Sequence, residues 1–329
     1  MSFRKLTLLS FCLIFAAIGA VGLYKKFGSS SKPSAPVAQK PKEISPPKRE
    51  KPRVALAPTT PKKEPVVTKT DLADDLPAID RTFELFTTGP LKLPIVETIT
   101  YSTKVPWLKG RLAWIADYAS HFSTSRHFIA RSLNGKPDYF TQTIKEGSRF
   151  NVLKKDKNIQ FHLLVDLTRA KMGFYYVDLD SNERVLLKTY RVGLGKKEAE
   201  TPAGKFVLGD KIAVYQPQVY GYHLDQKVEM IQVFGTRWLP MGEMKDGKPV
   251  FKGYGIQGAP WMADPQTSEL AENRSVIGAF ESDGCIRMAK EDIEELFAIV
   301  VSRPTFVEVV RDFHEAHLPG VEVAAPKRL

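Results

Sequence analysis

The 329-residue chain contains two cysteines, Cys12 and Cys285, and Cys12 lies within an apolar run at the N-terminus. Cys285 is therefore the only thiol of the remaining chain and has no intramolecular disulfide partner there. Its setting is Ser282-Asp283-Gly284-Cys285-Ile286-Arg287, a small polar turn, a glycine, a thiol and a cation in six residues. Structural cysteines sit more often in apolar runs, so this pattern points to a nucleophile presented on a turn. The six histidines are scattered without metal-ligand spacing, so neither a metal nor a cofactor is expected. Gly193-Leu194-Gly195-Lys196 is not read as a phosphate loop, because Thr201-Pro202-Ala203-Gly204 and a strand follow it rather than a helix.

The elements that must carry the thiol are mostly strands. Runs rich in β-branched and aromatic residues predict strands over Ile159 to Leu167, Lys171 to Val177, Val185 to Val192, Lys205 to Leu208, Tyr254 to Gln257 and Thr305 to Val310. Asp180-Ser181-Asn182 predicts a hairpin turn, and Asp210 to Gly253 reads as a long stretch punctuated by glycine and proline. Ile293, Leu296, Phe297 and Val300 share one face of a helix predicted over Lys290 to Val301. Upstream, Leu108, Leu112, Ile115, Ala119 and Phe122 recur at helical steps, so residues 71–158 read as a helical accessory region. His121 and His127 lie there six apart, a spacing that does not place them on one helical face.

The net charge of +11 comes from the first fifth of the chain. Residues 25–69 carry twelve basic and three acidic side chains, and Arg4 and Lys5 supply the rest of the excess. Everything after Thr70 is neutral on balance, which removes the charge argument for a nucleic-acid partner. Leu6 to Tyr24 is uncharged and spans roughly 28 Å as a helix, the length of a membrane anchor. A cleaved signal segment is the alternative, with small-x-small sites at Ala17-Ile18-Gly19 and Ala20-Val21-Gly22. Residues 27–70, with nine prolines among Lys, Ser, Ala and Glu, read as a disordered linker reaching roughly 35–40 Å as a flexible coil.

The Cys285 frame, Ser282-Asp283-Gly284-Cys285-Ile286-Arg287-Met288, resembles the nucleophile motif of the L,D-transpeptidase (YkuD) catalytic-domain family. Leu164-Val165-Asp166, Val192 to Lys196, Thr201 to Phe206, Gly235-Thr236-Arg237-Trp238 and Tyr254-Gly255-Ile256-Gln257-Gly258 agree in order, so the resemblance covers roughly 159–311. It implies a mainly β, sandwich-like domain with a C-terminal helix, followed by a tail over 312–329. It also implies action on bacterial peptidoglycan stem peptides, in cell-wall remodelling and cell shape. In that chemistry a thiolate attacks the carbonyl of the third stem residue, expels D-alanine and leaves a thioester. The side-chain amine of a second stem then resolves it as a 3–3 cross-link. An enzyme of this class places the chain in the bacterial inner membrane as a single-pass protein with its catalytic domain in the periplasm, or exports it if the segment is cleaved.

Carried onto this sequence, the resemblance makes Cys285 the nucleophile and the Gly284 backbone a candidate oxyanion donor. Gln257, Gly258, Ser282 and Arg287 become candidate substrate contacts. The chain departs from the family pattern where the family has its base histidine, because that position is Gln257, and an amide cannot accept a proton at ordinary pH. The histidine often found two before the cysteine is Asp283. An unactivated cysteine is only ~3% thiolate at pH 7, a roughly thirtyfold loss, and losing general acid–base help costs another 10²–10⁴ on the order of magnitude. Asp283, were burial to raise its pKa, and His223 in Tyr220-Gly221-Tyr222-His223 are the substitute bases. Two other outcomes keep the same fold, an L,D-carboxypeptidase with water as acceptor and a pseudoenzyme that binds stem peptides without turnover.

Overall fold

The computed structural model describes residues 74–134 and 143–323. The anchor expected over 1–26 and the linker over 27–70 lie outside the described residues. Among the described residues no helix is long and apolar enough to cross a membrane.

In chain order the first elements are α1 (Phe83–Phe86), β1 (Val96–Thr100), α2 (Ile115–His121), α3 (Arg126–Asn134) and β2 (Arg149–Leu153). They are followed by β3 (Ile159–Asp166), β4 (Lys171–Asp178), β5 (Glu183–Arg191), β6 (Leu194–Gly195), β7 (Gly204–Leu208) and β8 (Ala213–Val214). Next come β9 (Tyr220–His223), β10 (Gln226–Glu229), α4 (Ile231–Phe234), β11 (Arg237–Lys245), β12 (Lys248–Gly258), β13 (Trp261–Ala263) and β14 (Leu270–Glu272). The chain closes with β15 (Phe280–Ser282), β16 (Ile286–Met288), α5 (Lys290–Val300), β17 (Thr305–Val310) and β18 (Val321–Glu322).

The protein is mainly β. One mixed sheet runs in the order β16-β12-β11-β7-β17-β3-β4-β5-β18, and it curls over a shared core. Leu163, Val165 and Leu187 from one half of the sheet and Leu239, Met241, Ile256 and Ile286 from the other join one cluster with Ile293, Leu296 and Phe297 of α5. The expected two-layer packing is thus achieved by a single folded-over sheet with a helix in its fold. Ala289 offers α5 no side-chain cap, and the Glu272 carboxylate accepts from the Lys290 N–H instead, satisfying one of the orphan donors of the first turn.

The strands read from β-rich runs are all present, and β17 matches its expected bounds. Asn182, at φ 58°, closes the turn between β4 and β5. Two readings are refined. The glycine- and proline-punctuated stretch 210–253 contains paired strands, and Asp246 (φ 49°) and Gly247 (φ 74°) make the tight turn between β11 and β12. Residues 71–158 are not purely helical, since β1 and β2 form an antiparallel pair beside α2 and α3, which break apart at Ser123 with φ 46°. The tail begins with ordered chain too, as β18 pairs with β5.

The accessory region also shares the main core. Leu85, Leu93, Ile95, Val96, Phe128 and Leu153 belong to the same cluster as the β3 and β4 residues. Fully buried Asn151 ties its pieces together, donating to the Leu85 carbonyl at 2.9 Å and the Thr87 carbonyl at 2.6 Å. Truncating Phe128 to alanine is expected to lower the urea-unfolding free energy of the whole cooperative unit by about 3–5 kcal/mol. A fragment beginning at residue 159 is expected to lose cooperative unfolding. Unchanged cooperative unfolding of that fragment in urea titrations contradicts the shared core.

Candidate active site

The site is set by one parallel strand pair. β12 and β16 align Ile256 with Ile286, Gln257 with Arg287 and Gly258 with Met288. Because side chains alternate along a strand, the fully buried Ile256, Ile286 and Met288 face the core. Cys285, Arg287 and Gln257 consequently share the opposite face, and Gln257 lies diagonally across from Cys285, roughly 8 Å away between Cα atoms by strand geometry.

The turn before β16 presents the thiol. Gly284 has φ +100°, a conformation side-chain-bearing residues rarely adopt, and a Cβ there would lie 2.7 Å from the Tyr254 ring. Ser282 is almost wholly buried. Its hydroxyl donates to the Cys285 carbonyl at 2.6 Å and accepts from the Gly284 N–H at 3.2 Å, stapling the turn. Parallel pairing of β15 with β6 and a bond from the Lys196 N–H to the Ser282 carbonyl anchor the incoming chain.

Cys285 is a free, half-buried thiol whose sulfur lies 3.9 Å from the Gly253 carbonyl. Burial raises its pKa, the Gly255 backbone N–H and the Arg287 cation pull against that rise, and the Asp283 charge adds to it. The net shift is upward, so at neutral pH the sulfur keeps its proton. Asp283 fails the condition for a base. Its carboxylate is exposed, pairs with Lys196 at 2.6 Å, and is held below its ordinary pKa by that ammonium.

The other expected contacts separate. Gln257 is 4% exposed and donates its amide to the Val233 carbonyl of α4 at 2.9 Å, so this amide braces α4. Gly258 faces the core, where a Cβ would meet the Thr236 N–H nitrogen and Ile293, so it too is a packing residue. Ser282 serves the turn. The Gly284 N–H is engaged by Ser282 and is not available to an oxyanion in this arrangement. Arg287 remains beside the thiol, with a buried Nε that has no hydrogen-bond partner. His223 sits on the β9–β10 hairpin with its ring 5.4 Å from Phe234, the residue after the one that holds Gln257. The rings of His121, His127 and His162 rest on Trp107, Phe297 and Phe306, and His314 pairs with Asp312.

Three contributors were not singled out by sequence. Tyr254 walls the turn at Gly284, the backbone at Gly253 and Gly255 meets the sulfur, and Lys196 neutralises Asp283. The glycines at 253, 255 and 258 on one strand were the available sign of close approach. Two hollows adjoin these residues. One, of about 190 Å³, is lined by Tyr254, Pro202, Ala203 and Lys252. The other, of about 310 Å³, is lined by Gly195, Thr201, Phe280, Lys197 and Arg311. Among the described residues no group of three or more His, Cys, Asp or Glu side chains is placed to hold a metal ion.

The described residues thus form a curled, mainly β unit in which Cys285, the one cysteine among them, follows a glycine turn beside the 255–258 strand. Residues 160–309 match the family model described as the L,D-transpeptidase catalytic domain, YkuD. Similar curated proteins are the L,D-transpeptidase YkuD of Bacillus licheniformis, 27% identical over 55% of this chain and 85% of that protein, and its Bacillus subtilis namesake, 28% identical over 43% and 62%. Among solved structures, the helical cell shape determining protein Pgp2 of Campylobacter jejuni is 13% identical, with a TM-score of 0.31. That likeness covers 50% of this chain and 51% of that one, about half of each.

The thiol's raised pKa yields a direct expectation. The rate of Cys285 alkylation by iodoacetamide, followed against pH, should inflect above the ordinary thiol range of about 8.5. Arg287→Gln should move the inflection higher, because it removes a cation that favours thiolate, and Asp283→Asn should move it lower. An inflection near pH 6–7 in the parent would show an activated thiolate and contradict this electrostatic picture.

Proposed function

We propose that this protein acts on peptidoglycan stem peptides as a cysteine acyltransferase of the L,D-transpeptidase type, with Cys285 as nucleophile, and that it forms 3–3 cross-links in cell-wall remodelling. The observation that carries the reading is the presentation of Cys285 on a stapled glycine turn, on the open face of the β12–β16 pair, beside Arg287. The sulfur attacks the third-residue carbonyl, the amide bond to D-alanine breaks, and a thioester forms. The departing amine takes up the proton that the thiol gives away. The amine of a second stem then attacks the thioester, and the sulfur recovers a proton.

Gln257 supplies no proton relay, so the reaction is slow at neutral pH, its rate limited by the small thiolate fraction. Arg287 favours the thiolate and is a suitable partner for a stem carboxylate. With residues 1–26 as an inner-membrane anchor and 27–70 as a tether, the domain would work in the periplasm within reach of the wall. The raised thiol pKa and the absence of a base at Gln257 also favour a second reading, a stem-peptide binding module without turnover.

Intact-mass analysis after incubation with tetrapeptide muropeptides separates the two. An adduct corresponding to acylation with loss of D-alanine, absent in Cys285→Ala, is expected. Binding without adduct would leave only the recognition module. Gln257→His is expected to raise the acylation rate at pH 7 by at least ~30-fold, the gain available from a predominant thiolate; no gain would show that the amide position does not govern the proton.

A further inference from the structure

Between the start of β11 and α5 lies a cavity of about 370 Å³ that does not include Cys285 in its lining. Trp238 pairs with Gln257 across the strands, so it belongs to the Cys285 face. Arg237, one residue earlier, points the other way, toward α5. Its guanidinium lies over the Phe297 ring at 5.4 Å and 3.6 Å from the Glu294 carboxylate. The cavity is walled there by Arg237, Thr236, Trp261, Lys290, His127 and Glu294.

Lys290, Thr236 and Trp261 offer donors in its lining, beside Arg237, Glu294 and His127. The acids of the first turn of α5 are engaged elsewhere, since Glu291 pairs with Arg274 and Asp292 with Lys188. The Lys290 ammonium lies 5.3 Å over the Trp261 ring. The Thr236 hydroxyl, on a residue 6% exposed, and the Trp261 indole N–H are both buried without a hydrogen-bond partner. Leaving such groups unmade costs about 1–3 kcal/mol each, and an acceptor from a ligand removes that cost.

We infer that this cavity binds the carboxylate end of a short peptide or amino acid. A carboxylate brings two oxygens with about four acceptor sites, a match for an ammonium, a hydroxyl and an indole N–H. The apolar wall of Val214, Pro217 and Ile231 suits small side chains behind it. The volume falls within the roughly 300–1,000 Å³ of small-ligand pockets. A second hollow of about 560 Å³ shares His127 and Val214 and has Ser120, Ser123 and Ser302 in its wall, giving a polar continuation for a longer peptide. The chain's own tether is a poor occupant, because residues 25–69 carry twelve basic side chains against a wall that is itself cationic. The identity of the peptide as a wall stem rests on the proposed function; the carboxylate does not.

Calorimetric titration of full-length Cys285→Ala protein tests the inference with a stem tetrapeptide, its C-terminal amide and free D-alanine. The tetrapeptide acid is expected to bind about tenfold more tightly than the amide. Lys290→Gln and Thr236→Val should each abolish that preference, and Thr236→Ser, which restores the hydroxyl, should recover it. Binding of D-alanine with the same Lys290 dependence would assign the pocket to free amino acids, still through the carboxylate. Equal affinity for acid and amide, or a preference lost in Arg287→Gln but kept in Lys290→Gln, overturns the inference. Should mass analysis give no Cys285 adduct while Lys290-dependent binding persists, the catalytic reading falls and this one stands.

Discussion

The site depends on the parallel register of β12 against β16. Burying Ile256 and Ile286 on one side fixes which residues appear on the other, because a one-residue slip would exchange every side chain between core and open face. The same burial that holds the sheet around α5 therefore places Cys285, Arg287 and Gln257 together on its other side, where Gln257 lies beneath α4. The turn at Gly284 adds the last constraint, since only glycine combines its φ with the approach of Tyr254.

This geometry fixes the Cys285 thiol in place and disfavours its ionisation. The sulfur is held by backbone groups of β12 and flanked by Arg287, yet burial outweighs both and keeps its proton on. Asp283 is pinned by Lys196 at the surface, and the Gln257 amide is committed to α4. Positioning and proton transfer, usually found together in cysteine acyl-transfer sites, are here separated. The chain holds the thiol on a fixed turn and carries an amide, Gln257, diagonally across the strands from it.

Much of the fold was legible because it rests on local signals. β-branched runs marked β3 to β5 and β17, and the 293, 296, 297 and 300 spacing marked α5, all of which are buried as their patterns require. The β11–β12 hairpin was missed although Asp246-Gly247 is a strong turn signal, because exposed residues over 248–253 hide the strand alternation. The β1–β2 pair joins residues about fifty positions apart, which no local pattern reveals. In the site, Cys285 was readable from its six-residue setting. The roles of Ser282, Gly258 and Gln257 were not, since whether a polar or small residue meets substrate or braces a turn depends on contacts made by distant segments, Val233 and Ile293 among them.

The central claim is that acyl transfer at Cys285 proceeds without a neutral-range base. The pH dependence of the acylation rate by a stem tetrapeptide tests it most directly. A single limb, rising tenfold per pH unit from neutrality through the ordinary thiol range and absent in Cys285→Ala, is the predicted result. A plateau reached near pH 6–7 would reveal a histidine-like base and contradict the account.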